Sequence, residues 1–321
     1  MSTQETAKTL YVEVDGIKYA HRIIGEQTPS SLASPPLLLL NHFRSNIDLW
    51  DPLVVNALAT SRLVITYDYS GVGHSTGAVK LSVAAFASDV ISFLTTLLPT
   101  LPGTPTAVDV LGFSIGGYVA QQLTLDAPHL VRKLVLSGTG PSGSAGDVAH
   151  RRPMAEVQSA IMSDPPNGSA ILDAFFPSFT TRESGIGEAW FGRVLAGRAA
   201  VAGKDGEPEF VSFTSGPGLK NFTQALLGWD ADLKPYAFLQ TIQKETLVTA
   251  GSNDLIVSTV NSFELARNIP RAHFVMFPGS GHGHLFQYAV FFAEQVDRFL
   301  KGGYPTAPFA AGEINELASA Y

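Results

Sequence analysis

The chain has 321 residues, 45% of them hydrophobic and only 15% charged, a composition with ample material for one large α/β domain or two smaller ones and one that excludes a disordered chain. Its net charge of −7, with no cluster of Lys or Arg, argues against nucleic acid as a partner, because binding phosphates needs a basic face. It contains no cysteine, which excludes disulfides, thiolate nucleophiles and cysteine-based zinc sites and fits a reducing compartment.

From the N-terminus, Met1 to Lys8 lacks the apolar run of a secretory signal, and no apolar run reads as long enough to cross a bilayer. The expectation is a soluble cytoplasmic protein without a membrane partner. Two sequons, Asn167-Gly168-Ser169 and Asn221-Phe222-Thr223, are then chance matches. Leu10 to Ile24 reads as two strands around a turn at Asp15-Gly16, and residues 25–36 as a polar loop. Leu37 to Leu40 is a continuous apolar run of the kind buried on both faces of a parallel sheet. The turn Asn41-His42-Phe43-Arg44 follows, then a helix near Asp51 to Ala59 with Pro52 in its first turn. Arg62 to Tyr67 is the next strand and runs into Asp68-Tyr69-Ser70-Gly71-Val72-Gly73-His74-Ser75. A helix from Ser82 to Leu98 carries Val83, Phe86, Val90, Phe93, Leu94 and Leu97 on one stripe.

The stretch from Val108 to Ala120 organises what comes after. A short β-branched run leads into Gly112-Phe113-Ser114-Ile115-Gly116, and a helix-like segment to Asp126 follows directly. This strand–turn–helix context is what gives Gly-x-Ser-x-Gly meaning as a nucleophile elbow. A serine at the tip of a strained turn needs small neighbours, and the amides at the start of the next helix point at any anion formed beside it. Ser114 is the candidate nucleophile. A strand at Val131 to Leu136 continues the alternation, which resumes at Glu245–Ala250, a helix near Val257–Arg267, a strand at His273–Phe277 and a helix from His284 to Lys301. Strand and helix in alternation predict a parallel sheet with helices on both faces. Residues 142–235 break the rhythm with Gly, Pro and aromatic residues, helical pieces and no clear strand. They read as an inserted cap over the C-terminal edge of the sheet, leaving 1–141 and 236–321 as the α/β core. Trp190 and Phe191 in the cap are candidate substrate contacts. The tail from Gly302 to Tyr321 lies across the body or serves a homodimer, and the sequence leaves the oligomeric state open.

A serine hydroxyl needs a base to take its proton and a third group to orient that base. For a serine on such a turn the acid and then the histidine follow in chain order. Asp254 stands in Gly251-Ser252-Asn253-Asp254 after one strand, and His282 in Gly279-Ser280-Gly281-His282 after the next. The sequence favours His282 over His284, which starts the following helix, and Ser137-Gly138-Thr139 offers no carboxylate as an alternative acid. Asp68, followed by Gly71 and Gly73, reads as a brace for its own loop. The oxyanion donors are expected to be the amides of Ile115 and Phe43.

On Gly112-Phe113-Ser114-Ile115-Gly116, the Asp68–Ser75 loop, Asp254 and Gly281-His282, the chain resembles the α/β-hydrolase-fold superfamily over residues 10–300, in its cap-bearing branch of esterases, lipases and cofactor-free haloperoxidases. The resemblance implies an eight-stranded, mostly parallel sheet, a cap after the sixth strand, no cofactor and no metal. One position departs from it. The family usually has His-Gly-x before the oxyanion donor, whereas Asn41-His42-Phe43 stands here, so His42 narrows the hole, contacts the substrate or turns outward. A serine at the elbow implies acyl transfer to water, on an ester or lactone of a small, fairly apolar molecule. The alternatives on the same residues are a carbon–carbon bond hydrolase or lyase and a hydrolase-like small-molecule receptor.

Overall fold

Apolar runs with no polar face, such as Leu37–Leu40 and Val108–Phe113, can be buried only where both faces of a sheet are covered. In the computed structural model both are central strands, and every residue of each is buried. The structure describes residues 1–143, 155–177, 184–231 and 237–305. Eight strands form one sheet: β1 (Leu10–Val14), β2 (Ile17–Ile24), β3 (Leu37–Leu40), β4 (Val64–Tyr67), β5 (Val108–Phe113), β6 (Val131–Ser137), β7 (Glu245–Gly251) and β8 (Ala272–Phe277). Their spatial order is β1-β2-β4-β3-β5-β6-β7-β8. The β1–β2 hairpin and the β2–β4 pair are antiparallel, and every pair from β4 to β8 is parallel. This is the expected mostly parallel eight-stranded sheet with helices on both faces.

Local chemistry sets the element ends. Ser82 caps the helix Val83–Leu97 by accepting from the Ala85 amide, and Asp51 caps Pro52–Leu58 through Leu53. The strand expected from Arg62 starts only at Val64, and just before it the buried Arg62 guanidinium is engaged with Asp109 of β5 at 3.2 Å. Arg132 closes on the same carboxylate at 2.6 Å, which explains how a charge survives in the fully buried strand that leads to Ser114. Residues 25–36 are not wholly loop, since Thr28 caps one helical turn at Pro29–Leu32. The helix expected from His284 to Lys301 is two pieces, His284–Gln287 and Ala289–Leu300. The break falls at Tyr288, whose hydroxyl donates to Pro278 O at 2.8 Å and whose ring lies against Phe277. Contrary to the reading that no run is long enough to cross a membrane, Val83–Thr100 is long and apolar enough by length and composition. Its stripe of Phe86, Val90, Phe93, Leu94 and Leu97 belongs instead to a hydrophobic core cluster shared with β3, β4, β5 and β6.

The chain leaves the sheet after β6 and returns at β7, yet these two strands are neighbours, paired from Lys133 opposite Glu245 to Ser137 opposite Thr249. The described part of the intervening insertion is mainly helical, with Ala155–Ile161, Gly168–Phe175, Ile186–Gly197 and Gly216–Ala231. It is seated by stacking of Phe222 on Phe86, Trp229 on Tyr118 and Trp190 on Phe286, with ring centroids 5.4, 5.2 and 5.0 Å apart. Arg193 forks onto Asp51 at 2.7 and 3.1 Å. Asn167 of the first sequon caps the helix Gly168–Phe175 through Ala170. Of the C-terminal tail only residues up to 305 are described, with Tyr304 resting on Phe299 and His273.

A buried polar cluster centred on Asp48 also fastens the insertion to the core. Asp48 binds Arg22 at 2.5 Å and His74 at 2.8 Å, and accepts the Val211 amide of the insertion at 3.0 Å. Burial works to raise its pKa, but the His74 hydrogen bond and the Arg22 charge outweigh burial and hold it at about 2. A depressed carboxylate contributes stability above the ordinary carboxylate range that disappears as the pH falls through about 2. Asp48→Asn should therefore cost ~2 kcal/mol at neutral pH and flatten the acid limb of the stability curve between pH ~4 and ~2. Urea unfolding at stepped pH measures both, and an unchanged acid limb would contradict this account.

Candidate active site

The elbow is strained, and its surroundings impose the strain. Ser114 has φ 57° and ψ −122°, a conformation that a non-glycine residue keeps only where the surroundings over-determine it. Its amide donates to Ser137 O of β6 at 2.9 Å, while its carbonyl accepts from Gly117 N and Thr139 Oγ1, both at 2.8 Å. Close approach explains the flanking glycines. A Cβ on Gly116 would stand 2.2 Å from Leu40 O, and one on Gly112 would stand 2.3 Å from Gly116 O. The helix Ile115–Asp126 starts directly at the serine, so its unpaired N-terminal amides face the same point.

The acid and the histidine arrive from the ends of β7 and β8. Asp254 Oδ1 accepts the amides of Ile256 and Val257, both at 2.9 Å, which leaves Oδ2 for His282 Nδ1 at 2.7 Å. A carboxylate only accepts, so Nδ1 carries the proton and Nε2 presents a free lone pair. Phe113 and Phe175 hold the imidazole, with centroids at 4.9 and 5.2 Å. The competitor His284 lies elsewhere. Its Nε2 sits 3.1 Å from both Ser137 Oγ and Thr249 Oγ1, and burial pushes its pKa down to about 4, so it is a neutral core histidine. Ser114 and His282 line one cavity. Among the described residues no hydrogen bond closes between Ser114 Oγ and His282 Nε2, and such contacts often tighten only around a ligand.

The loop after β3 supplies the facing wall. Asn41 donates from Nδ2 to Tyr67 O at 2.7 Å and accepts Trp50 Nε1, which fixes the loop at its root. Asp68 accepts Ile47 N at 2.8 Å and His74 N at 2.9 Å, bracing this loop as well as its own. The amides of Phe43 and Ile115 take no part in the hydrogen bonds among the described residues, and both residues line the cavity with Ser114. His42 lines it too, wedged among Phe113, Phe175 and Phe213, and burial with the nearby His282 lowers its pKa to about 3.

The cavity measures about 210 Å³. The insertion's part of the wall is mainly apolar, Ile161, Ile171, Phe175, Phe213 and Leu226 among it, with Gln158 and Asp230 as polar members. Trp190 and Phe191, the aromatic residues expected to meet a substrate, are not in its wall. Trp190 is buried behind Phe175, stacked at 5.5 Å, and Phe191 lies against Trp190. Phe175 takes the place expected of them. No periodicity in residues 142–235 separates Phe175 from the other aromatics there, so the sequence carried no signal for it. Arg44, in sequence one polar residue of a turn, also lines the cavity.

The close approach at the elbow has a direct test. Gly116→Ala should destabilise the fold by about 3 kcal/mol, because its methyl collides with the backbone carbonyl of Leu40. Gly228→Ala, in an exposed helical position with nothing within 4 Å, should stabilise by up to ~1 kcal/mol. Thermal denaturation of the two variants reads the contrast.

The model of the alpha/beta hydrolase fold family matches residues 35–287, from the approach to β3 to beyond His282. A protein from Variovorax paradoxus named as carbamate hydrolase RutD is 27% identical over 269 residues, which are 82% of this chain and 91% of that protein. Its namesake from Serratia proteamaculans is 26% identical over 282 residues, 87% and 93% of the two chains. Among solved structures, an alpha/beta hydrolase fold protein from Chitinophaga pinensis is 29% identical with a TM-score of 0.76, over 93% of this chain and 98% of that one. With the matched span running from the approach to β3 through the elbow to the histidine loop, the chain belongs to the α/β-hydrolase-fold family.

Proposed function

We propose that this protein is a serine hydrolase that cleaves a carboxylic ester or lactone of a small, fairly apolar substrate through an acyl-enzyme. The observation that carries this reading is the convergence on one cavity of Ser114 on its strained turn, His282 oriented by Asp254 at 2.7 Å, and two uncommitted amides. In this mechanism Ser114 Oγ attacks the carbonyl carbon while His282 Nε2 takes its proton. The amides of Phe43 and Ile115 bind the oxyanion as it forms, and Asp254 stabilises the imidazolium. The intermediate collapses by expelling the alkoxide, which His282 protonates; for a lactone the alcohol stays tethered. Water, deprotonated by His282, then releases the acid and restores the serine. The apolar lining from Ile161, Ile171, Phe175, Phe213 and Leu226 favours an uncharged acyl chain or ring over a charged one. The reading needs no cofactor, and the acidic net charge fits a small-molecule substrate in the cytoplasm better than nucleic acid or an anionic membrane. The relatives named for carbamate hydrolysis place a carbamate, whose carbonyl carbon is open to the same attack, in the test panel.

Fluorophosphonate labelling of the wild type, Ser114→Ala and His282→Ala, alongside a graded p-nitrophenyl ester series, tests the assignment. Only the wild type should be labelled efficiently, and each variant should lose at least about 10³-fold in kcat. Asp254→Asn should lose about 10³- to 10⁴-fold, since an amide no longer enforces the tautomer with a free Nε2. Labelling or turnover of Ser114→Ala at the wild-type level would sink the mechanism. Mass analysis of products from ester, lactone, carbamate and 1,3-diketone substrates assigns the bond that is cleaved.

A further inference from the structure

The loop that bears the Phe43 amide is fastened from two sides. The core holds it at Asn41, through Tyr67 O and Trp50, and at Ile47, through Asp68. Between these anchors the fastening comes from the insertion. Arg44, the residue after Phe43, has φ +66°, which an arginine rarely adopts. Its side chain is 3% exposed and spans two separate segments of the insertion. Nε donates to Thr214 O at 2.7 Å, and Nη1 donates to Ile161 O at 3.1 Å and Ser163 O at 2.7 Å. In the other direction, the Thr214 amide donates to Arg44 O at 2.8 Å. Two residues on, Asn46 Nδ2 donates to Val211 O and Ser212 O at 3.0 and 2.9 Å. The Asp164 carboxylate, 3.9 Å from Nη2, is half-exposed and only a loose partner. A guanidinium buried this deeply, with backbone carbonyls as its main acceptors, is costly unless the insertion is seated on it.

We propose that Arg44 is a positioning residue that makes the oxyanion hole conditional on the seating of the insertion. The insertion's own backbone, gripped at residues 161, 163 and 214, holds residue 44 in its strained conformation and so sets the neighbouring Phe43 amide. With the insertion displaced, Arg44 loses its acceptors, φ relaxes, and the chain beside Phe43 turns. The site is then complete only when the wall that encloses the substrate is in place. This inference rests on the serine-hydrolase reading and deepens it.

The test uses two inhibitors with the same alkyl chain, a trifluoromethyl ketone that adds Ser114 Oγ and places an oxyanion in the hole, and the plain methyl ketone, which binds without adding. Arg44→Met and Arg44→Lys should each lower kcat and trifluoromethyl ketone affinity together, by about 10- to 100-fold, because a displaced oxyanion donor keeps part of what its outright loss would cost, about 10²- to 10³-fold. KM and methyl ketone affinity should move less than about threefold, the split expected when only transition-state binding is lost. Free guanidinium should restore part of the turnover of Arg44→Ala. Thr214→Pro, which deletes the amide donated to Arg44 O and leaves every residue of the oxyanion loop itself unsubstituted, should shift the same readouts in the same direction even if the Arg44 variants fold poorly. A rise in KM or a fall in Tm with kcat and trifluoromethyl ketone affinity intact would overturn the proposal and make Arg44 a staple for the insertion only. Failure of the wild type to react with fluorophosphonate or the trifluoromethyl ketone at Ser114 would instead overturn the serine-hydrolase reading.

Discussion

The structure depends on one close approach of backbone to backbone, where the helix after Ser114 lies against the C-terminal end of β3. Gly116 meets the Leu40 carbonyl at a distance that leaves no room for a Cβ, and Gly112 meets Gly116 in the same way. This contact forces the chain to turn sharply at Ser114, holds the serine in its unfavourable φ, and puts the first helical amide beside the loop that follows Leu40. The same contact turns the Ile115 amide toward the loop that bears the Phe43 amide, the two donors proposed for the oxyanion. Two features thus have a single cause: the strained serine and the helix terminus aimed at it.

Around that contact, two further requirements are met by different means. The imidazole of His282 must keep one tautomer, and Asp254 enforces it because its other oxygen is already saturated by two amides. The loop after β3 must tolerate a histidine at position 42, where the family usually has glycine. It does so because the His42 ring is packed edge-on against Phe113 and Phe175 and is kept uncharged by burial and by His282. A charged ring there would compete with the imidazolium that His282 becomes in the proposed mechanism.

The parts legible in the sequence were those whose chemistry is local. Gly112-Phe113-Ser114-Ile115-Gly116 carries its own context of strand and helix, and the Leu37–Leu40 tetrad can only be a strand covered on both faces. Asp254 and His282 were legible because each follows a strand by a short glycine-bearing loop, and the structure brings them to 2.7 Å. What escaped was set by packing between distant segments. Nothing in the sequence tells Phe175, which reaches the cavity, from Trp190, which is stacked behind it. The break at Tyr288, whose hydroxyl donates to Pro278 O ten residues back, interrupts no periodicity. Arg44 read as one polar residue in a turn because its partners lie more than a hundred positions away in the chain.

The insertion leaves and rejoins the sheet between two strands that are themselves paired, β6 and β7. Sheet register across that point is therefore independent of what the intervening chain contains. Closing a flexible connection costs chain entropy that grows only with the logarithm of its length, so doubling the insertion would add about 0.6 kcal/mol. One wall of the cavity can accordingly be lengthened, shortened or replaced at little thermodynamic expense to the sheet, while the other wall, built by the elbow and the loop after β3, tolerates almost no change. A scaffold divided in this way allows new pocket shapes to be grafted around an unaltered reactive centre, provided each graft offers carbonyl groups where Arg44 reaches.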